Sequence, residues 1–205
     1  MITIVDSGLS NLGSVSNMLR YIGIESQVSS DPDVVAHAER LILPGVGAFD
    51  NGMQSLTQRG LIAPLNTAVL ERKVPVLGIC LGMQLLCDGS DEGDLPGLGW
   101  IKGRAVRFDL GNNSERLRIP HMGWSAVSIP RAGRLFPDPD WDNRFYFVHS
   151  YHVVCDDPAD VAGTTRHGIE VTAAVERGNI FGAQFHPEKS HRFGMSVLKT
   201  FAEIS

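Results

Sequence analysis

The chain has 205 residues, of which 43% are hydrophobic, 20% charged and 7% aromatic, a composition that fits one globular domain with a sizeable core. A formal net charge of −5 with scattered Lys and Arg residues speaks against a nucleic-acid surface, and no apolar run approaches the roughly 18 residues a membrane span needs. The opening "MITIVDSGLS" reaches Asp6 too early for a secretion signal, and three cysteines, Cys80, Cys87 and Cys155, make a poor disulfide framework, so a soluble protein of the reducing cytoplasm is expected.

In chain order, "ITIVD" predicts a strand and "SGLSNLG" a turn. "GSVSNMLRYIG" spaces Val15, Met18, Leu19 and Ile22 as one helix face, with Gly23 as the stop. "IESQVSS" is a weaker strand. "SSDPDVVAHA" carries a Ser or Asp cap and Pro32 in the first turn of a short helix. "RLILP" predicts a strand ending at Pro44-Gly45, "LIAPLNTAVLERK" a helix despite Pro64, and "VPVLGI" a strand buried on both faces. Repeated strand, crossover helix and strand imply a parallel sheet covered by helices. Ligands of such sheets bind beyond the carboxyl ends of the strands, where "DSGLSNLG", "LPGVGAF" and "GICLGMQ" converge.

From Ser90 to about Pro139 the chain turns irregular, with short antiparallel candidates "WIKGRAVRF", "MGWSAVSI" and, beyond it, "RFYFVHSYHVV". "TTRHGIEVTAAVERGNIFGAQFHPE" reads as strands, with "RGN" as a hairpin turn. A final helix puts Met195, Leu198, Phe201 and Ile204 on one face. The fold expected is α/β: a mixed, largely parallel central sheet flanked by helices, with a smaller antiparallel portion. Residues 1–205 read as a single domain without internal repeats.

Three segments carry chemistry. In "GICLGMQ", Cys80 sits between Gly78 and Gly82 at a strand-to-helix junction. A nucleophile on so sharp a turn adopts strained backbone angles, and side chains two positions away would collide. An unassisted thiol of pKa about 8.5 is only slightly ionised at neutral pH, so it needs the following helix's N–H groups and a base. The plain alternative is a buried cysteine among packing glycines. Of the seven histidines, His186 stands out, because "AQFHPEKS" ends an apolar strand there and Glu188 lies within reach to orient the imidazole. His37, His167 and His191 occupy polar or turn-like surroundings. "LPGVGAFD" offers backbone N–H donors for an oxyanion, or else a tight connection; it fits neither a dinucleotide fingerprint nor a P-loop. Cys80 and Cys87 could share a helix face, but no ligand pattern completes a metal site.

Taken together and in this order, "PGVGAF", "GICLGMQLL" and "FHPE" resemble the class I, triad-type glutamine amidotransferases over nearly the whole length. "PHMGW" and "FYFVHSY" narrow the likeness to the glutaminase subunits of imidazole glycerol phosphate synthase. The resemblance implies Cys80 as nucleophile, His186 as proton shuttle and Glu188 as its orienter. It implies an oxyanion hole from the backbone N–H of Leu81 with that of Val46 or Gly47, the "PGVG" peptide rearranging first. Gln84, with Ser150 and Tyr151, would hold the amino-acid end of glutamine. No cofactor and no metal are implied. The implied partner is a (β/α)8-barrel cyclase subunit forming a heterodimer, with His121, Met122 and Trp124 at the interface. Two features depart from that subfamily: Ser125 follows "HMGW" where asparagine is common, and "GDLPGLGW", "HSYHVVCDD" and "HPEKSHRFG" are similar to paralogues supplying ammonia for sugar amidation in surface-polysaccharide pathways. The rival readings are a cysteine α/β-hydrolase, disfavoured because Glu188 follows His186, and a non-catalytic scaffold, disfavoured by the complete Cys, His and Glu set.

Overall fold

The computed structural model describes residues 1–111, 117–138 and 142–204; part of the irregular stretch expected between Ser90 and Pro139 lies outside them. The first half alternates as expected: β1 (Ile2–Val5), α1 (Leu12–Tyr21), β2 (Ser26–Ser29), α2 (Pro32–Ala36), β3 (Leu41–Gly45), α3 (Phe49–Gln58), α4 (Ile62–Asn66), β4 (Val76–Cys80) and α5 (Leu81–Leu85). Asn11 and Asp31 cap α1 and α2 through their side-chain oxygens, satisfying N–H groups that have no partner inside the helix. Pro64 is tolerated because it lies in the first turn of α4, where its missing N–H would be unpaired anyway. The helix predicted over "LIAPLNTAVLERK" is nonetheless interrupted, since Thr67–Glu71 forms a π-helical turn. The sequence reading passed over α3 altogether.

The second half supplies β5 (Gly89–Ser90), β6 (Gly103–Arg107), β7 (His121–Ala126), β8 (Arg144–His149), β9 (Tyr151–Cys155), β10 (Val161–His167), β11 (Ile169–Arg177), β12 (Ile180–Ala183) and α6 (His191–Glu203). The central sheet has seven strands in the order β10-β11-β12-β4-β3-β1-β2. β2, β1, β3, β4 and β12 are parallel, whereas β11 and β10 continue antiparallel. The parallel part thus has the 2-1-3-4-5 order of doubly wound, flavodoxin-like sheets. The expected hairpin joins β11 to β12, with Arg177 opposite Ile180.

Alternation along the strands separates two cores. Ile2, Ile4, Ile42, Leu77 and Ile79 pack with Val15, Leu19, Val197, Leu198 and Phe201 on one face. Val5, Leu41, Leu43 and Val76 pack with Phe49, Met53, Leu56 and Leu65 on the other. Phe145 of β8 stacks on Phe185, ring centroids 3.8 Å apart, which joins a small sheet to the strand leading into His186. The run "RFYFVHSYHVV" is two strands: β8 pairs with β7, β9 pairs with β6, and Ser150 lies where the chain passes from one small sheet to the other.

Phe145 is fully buried. Phe145→Ala is expected to lower stability by about 3–5 kcal/mol, measured by denaturant titration.

Candidate active site

The first determinant of the site is a close backbone approach. At Gly78 a Cβ would lie 2.7 Å from the backbone of Gly82, and at Gly82 it would lie 1.8 Å from the Leu43 carbonyl oxygen. Only glycine lets α5 descend onto β3 and β4 this closely. The turn that results holds Cys80 at φ 55° and ψ −109°, a strained conformation for a residue with a side chain. Cys80 thereby ends β4 and faces a cavity of about 520 Å³ beyond the carboxyl ends of β3 and β4.

His186 reaches the same cavity. Its N–H donates to the Tyr146 carbonyl at 2.9 Å, and its own carbonyl accepts from Ser190 Oγ at 2.7 Å. Its Nδ1 lies 2.7 Å from Glu188 Oε1, both side chains being buried. Burial by itself would lower the pKa of His186, but Cys80 on one side and Glu188 on the other outweigh it and raise the value to about 9. Among the described residues Nε2 has no hydrogen-bond partner, which leaves that nitrogen for a proton exchanged with sulfur or substrate.

Val46, Gly47, Leu81, Gln84, Ser150 and Tyr151 line the cavity too, with Glu92, Pro120, His149 and Lys189. Gln84 Nε2 donates to the Tyr151 carbonyl and to Gln184 Oε1, each at 3.1 Å. The Val46 N–H is committed elsewhere: it donates to the Leu9 carbonyl at 2.8 Å. Glu92 accepts from the Phe49 N–H at the start of α3 at 2.9 Å.

A model of the class-I glutamine amidotransferase family matches residues 3–204. The chain belongs to the class-I glutamine amidotransferases. It is 48% identical over 201 residues to "Imidazole glycerol phosphate synthase subunit HisH 2" of Methanococcus maripaludis, which covers 98% of each chain. It is 46% identical over 204 residues to the protein of the same name in Pseudomonas aeruginosa, which covers 100% of both. Among solved structures, one described as a glutamine amidotransferase superposes with a TM-score of 0.75 at 18% identity, covering 99% of this chain and 98% of that one, a likeness of fold.

In this amidotransferase residues of "LPGVGAF", "GICLGMQ", "FYFVHSY" and "FHPE" line one cavity, whereas no residue of "DSGLSNLG" does, and neither do His121, Met122 and Trp124. Met122 and Trp124 are exposed on β7, at 61% and 48%, but His121 is buried at 2%. The expectation that all three share a surface is corrected, because successive residues of a strand point to opposite faces. His121 instead stacks on His167 and Phe147, with its Nδ1 3.0 Å from His149 Nε2 and its Nε2 2.8 Å from Ser125 Oγ. Burial lowers the pKa of His121 to about 4 and that of His149 to about 3, so both are neutral at pH 7. His149 therefore donates from Nδ1 to the Tyr151 carbonyl at 2.8 Å. Among the described residues no group of His, Cys, Asp and Glu is arranged to hold a metal, and no helix is long and apolar enough to cross a membrane.

Sequence reasoning did not single out Gln184, Glu92, His149 or Lys189 in the amidotransferase. Only Gln184 carried a signal, as a polar residue inside the apolar run "IFGAQF". The other thiols lie apart: Cys87 and Cys155 do not line the cavity, and burial pushes both upward in pKa, Cys155 to about 12.

Gly82→Ala is expected to destabilise the fold by about 3 kcal/mol or more and to abolish activity in any folded remainder. Thermal melts and glutaminase assays of the purified variant check it.

Proposed function

We propose that this single-domain chain is the glutaminase subunit of an imidazole glycerol phosphate synthase. It hydrolyses glutamine to glutamate and ammonia and delivers the ammonia to a (β/α)8-barrel cyclase subunit. The observation that carries the reading is the strained Cys80 at the end of β4, facing the same cavity as a His186 whose Nδ1 is held by Glu188. The full-length likeness to proteins named as subunits of that synthase supports the partner.

Cys80 Sγ attacks the carboxamide carbon, and the former carbonyl oxygen becomes an oxyanion facing the Leu81 N–H. The imidazolium of His186 gives its proton to the departing nitrogen, the C–N bond breaks, and a glutamyl thioester and ammonia result. Neutral His186 then takes a proton from water as it adds to the thioester, and glutamate leaves with the sulfur restored. Both N–H bonds of the Gln84 amide are taken, so the atom it offers a substrate is its oxygen, an acceptor suited to the α-ammonium of glutamine.

Of the two candidates for second oxyanion donor, Val46 is not ready. With the Val46 N–H on the Leu9 carbonyl, that peptide must turn before it can face the cavity. Basal hydrolysis is therefore slow. Pro120 lines the cavity, and the exposed Ile119 before it, with the exposed Met122 and Trp124 along β7, forms the face on which a partner signals.

Glutamate release by this chain is expected to be weak alone and strongly stimulated by a cyclase subunit carrying its ribonucleotide ligand. Indifference to that cyclase, with stimulation by a sugar-amidating synthase, would move the acceptor and keep the glutaminase. In the complex, Cys80→Ala should abolish glutamine-dependent synthesis while synthesis from ammonium salts persists; loss of both would contradict the division of labour.

The pH dependence follows from His186. Its protonated form donates to the leaving nitrogen, so kcat/KM for glutamine is expected to fall as pH rises through about 9. Glu188→Gln removes a charge and an acceptor that favour the imidazolium, so this alkaline limb should move to lower pH by about one unit. An unmoved limb in the variant would remove His186 as its source.

A further inference from the structure

Two residues before His186, the chain buries a complete amide: Gln184 is inaccessible to solvent. The orientation of that amide can be worked out from an atom whose role is not in question. The Tyr151 backbone carbonyl only accepts, so the Gln84 atom 3.1 Å from it is Nε2. The second hydrogen of that nitrogen points at Gln184, 3.1 Å away, so the atom there is Oε1. The other end of the Gln184 amide is then Nε2, and it lies 3.8 Å from Cys80 Sγ. Turning Gln184 over would set two N–H groups against each other and aim a carbonyl oxygen at the sulfur. His149 holds the same Tyr151 carbonyl from its other side at 2.8 Å, so this carbonyl is pinned from two directions.

We propose that Gln184 is a further catalytic residue of this enzyme, donating its Nε2–H to the Cys80 thiolate while its Oε1 keeps Gln84 turned toward substrate. The proposal rests on the reading of Cys80 as the nucleophile. Its physical basis is the asymmetry between the two forms of sulfur. A donor to an anion is roughly twice as strong as a donor to a neutral acceptor, so the Gln184 N–H favours thiolate over thiol. The Val148 carbonyl, an acceptor for the thiol, is a distant one at 3.9 Å. The donor acts again when the thioester breaks and charge returns to sulfur. The titratable groups facing Cys80 are His186, with Glu188 behind it, and Glu92, His149 and Lys189 around the cavity; replacing Gln184 alters none of them.

The test compares Gln184→Met and Gln184→Glu with the wild-type full chain, with thermal melts to establish folding. The pH profile of iodoacetamide alkylation is read by mass spectrometry on the Cys80 peptide, and kcat and KM for glutamine are measured in the activated complex. Met keeps the volume and loses the donor, so its alkylation midpoint should rise by about one pH unit, a tenfold loss of thiolate below the midpoint. Glu places a carboxylate by the sulfur and should raise the midpoint further. It keeps an acceptor for Gln84, so kcat should fall with KM within about twofold of wild type, whereas Met should raise KM as well. Midpoints unchanged from wild type in both folded variants would overturn the proposal and reduce Gln184 to core packing. If neither variant folds, the wild-type side-chain amide resonance of Gln184 decides: it must shift as Cys80 ionises, and constancy overturns the proposal. Failure of the underlying reading looks different, since Cys80→Ala would then still hydrolyse glutamine.

Discussion

The site depends on one steric constraint, the approach of the first turn of α5 to the backbone of β3 and β4. With a Cβ at Gly82 only 1.8 Å from the Leu43 oxygen, no side chain can stand there, and any outward shift of α5 would carry Cys80 with it. The strained backbone of Cys80 is the local cost of that approach, held in place by the packing around it. Leu81, Met83 and Leu85 are buried in the core beneath α5, so hydrophobic burial of the helix supplies the force that keeps the elbow bent.

Electrostatics then builds on that position. A buried imidazole would ordinarily be neutral, as His121 and His149 are. His186 differs because it has an anion on one ring nitrogen and a sulfur beside the other. The same fold therefore keeps two histidines uncharged as fixed hydrogen-bonding elements, His149 in the cavity wall and His121 next to it, and keeps His186 charged at the cavity. The wall owes its shape to the strand run that changes sheets at Ser150, because a continuous strand would not present His149, Ser150 and Tyr151 together to one cavity.

The sequence made the elbow legible because its cause is local: Gly78, Cys80 and Gly82 carry the steric requirement within five residues. The parallel strands were legible for a similar reason, since burial on both faces leaves unbroken apolar runs such as "VPVLGI". Most of what escaped depended on distant partners. The helix α3 is the exception, since Phe49, Met53 and Leu56 carry a helical apolar spacing that went unused, while Gly52 among them has its reason in Leu81 and Leu85, which crowd it. His121 lies on the opposite face of β7 from Met122 and Trp124, and no spacing within "PHMGW" says which face meets the core. Gln184 could be seen as an anomaly in a strand, but its amide has meaning only through Gln84, a hundred positions earlier.

The isolation of Cys80 from the other two sulfurs has a consequence under oxidative stress. A sulfenic acid at Cys80, formed by peroxide entering the cavity, has no second thiol in the cavity with which to close a disulfide, since Cys87 and Cys155 lie outside it in environments that keep them protonated. Without a resolving cysteine, the protein depends on an external thiol, such as glutathione, to regain its sulfur before oxidation proceeds to the sulfinic acid and becomes irreversible.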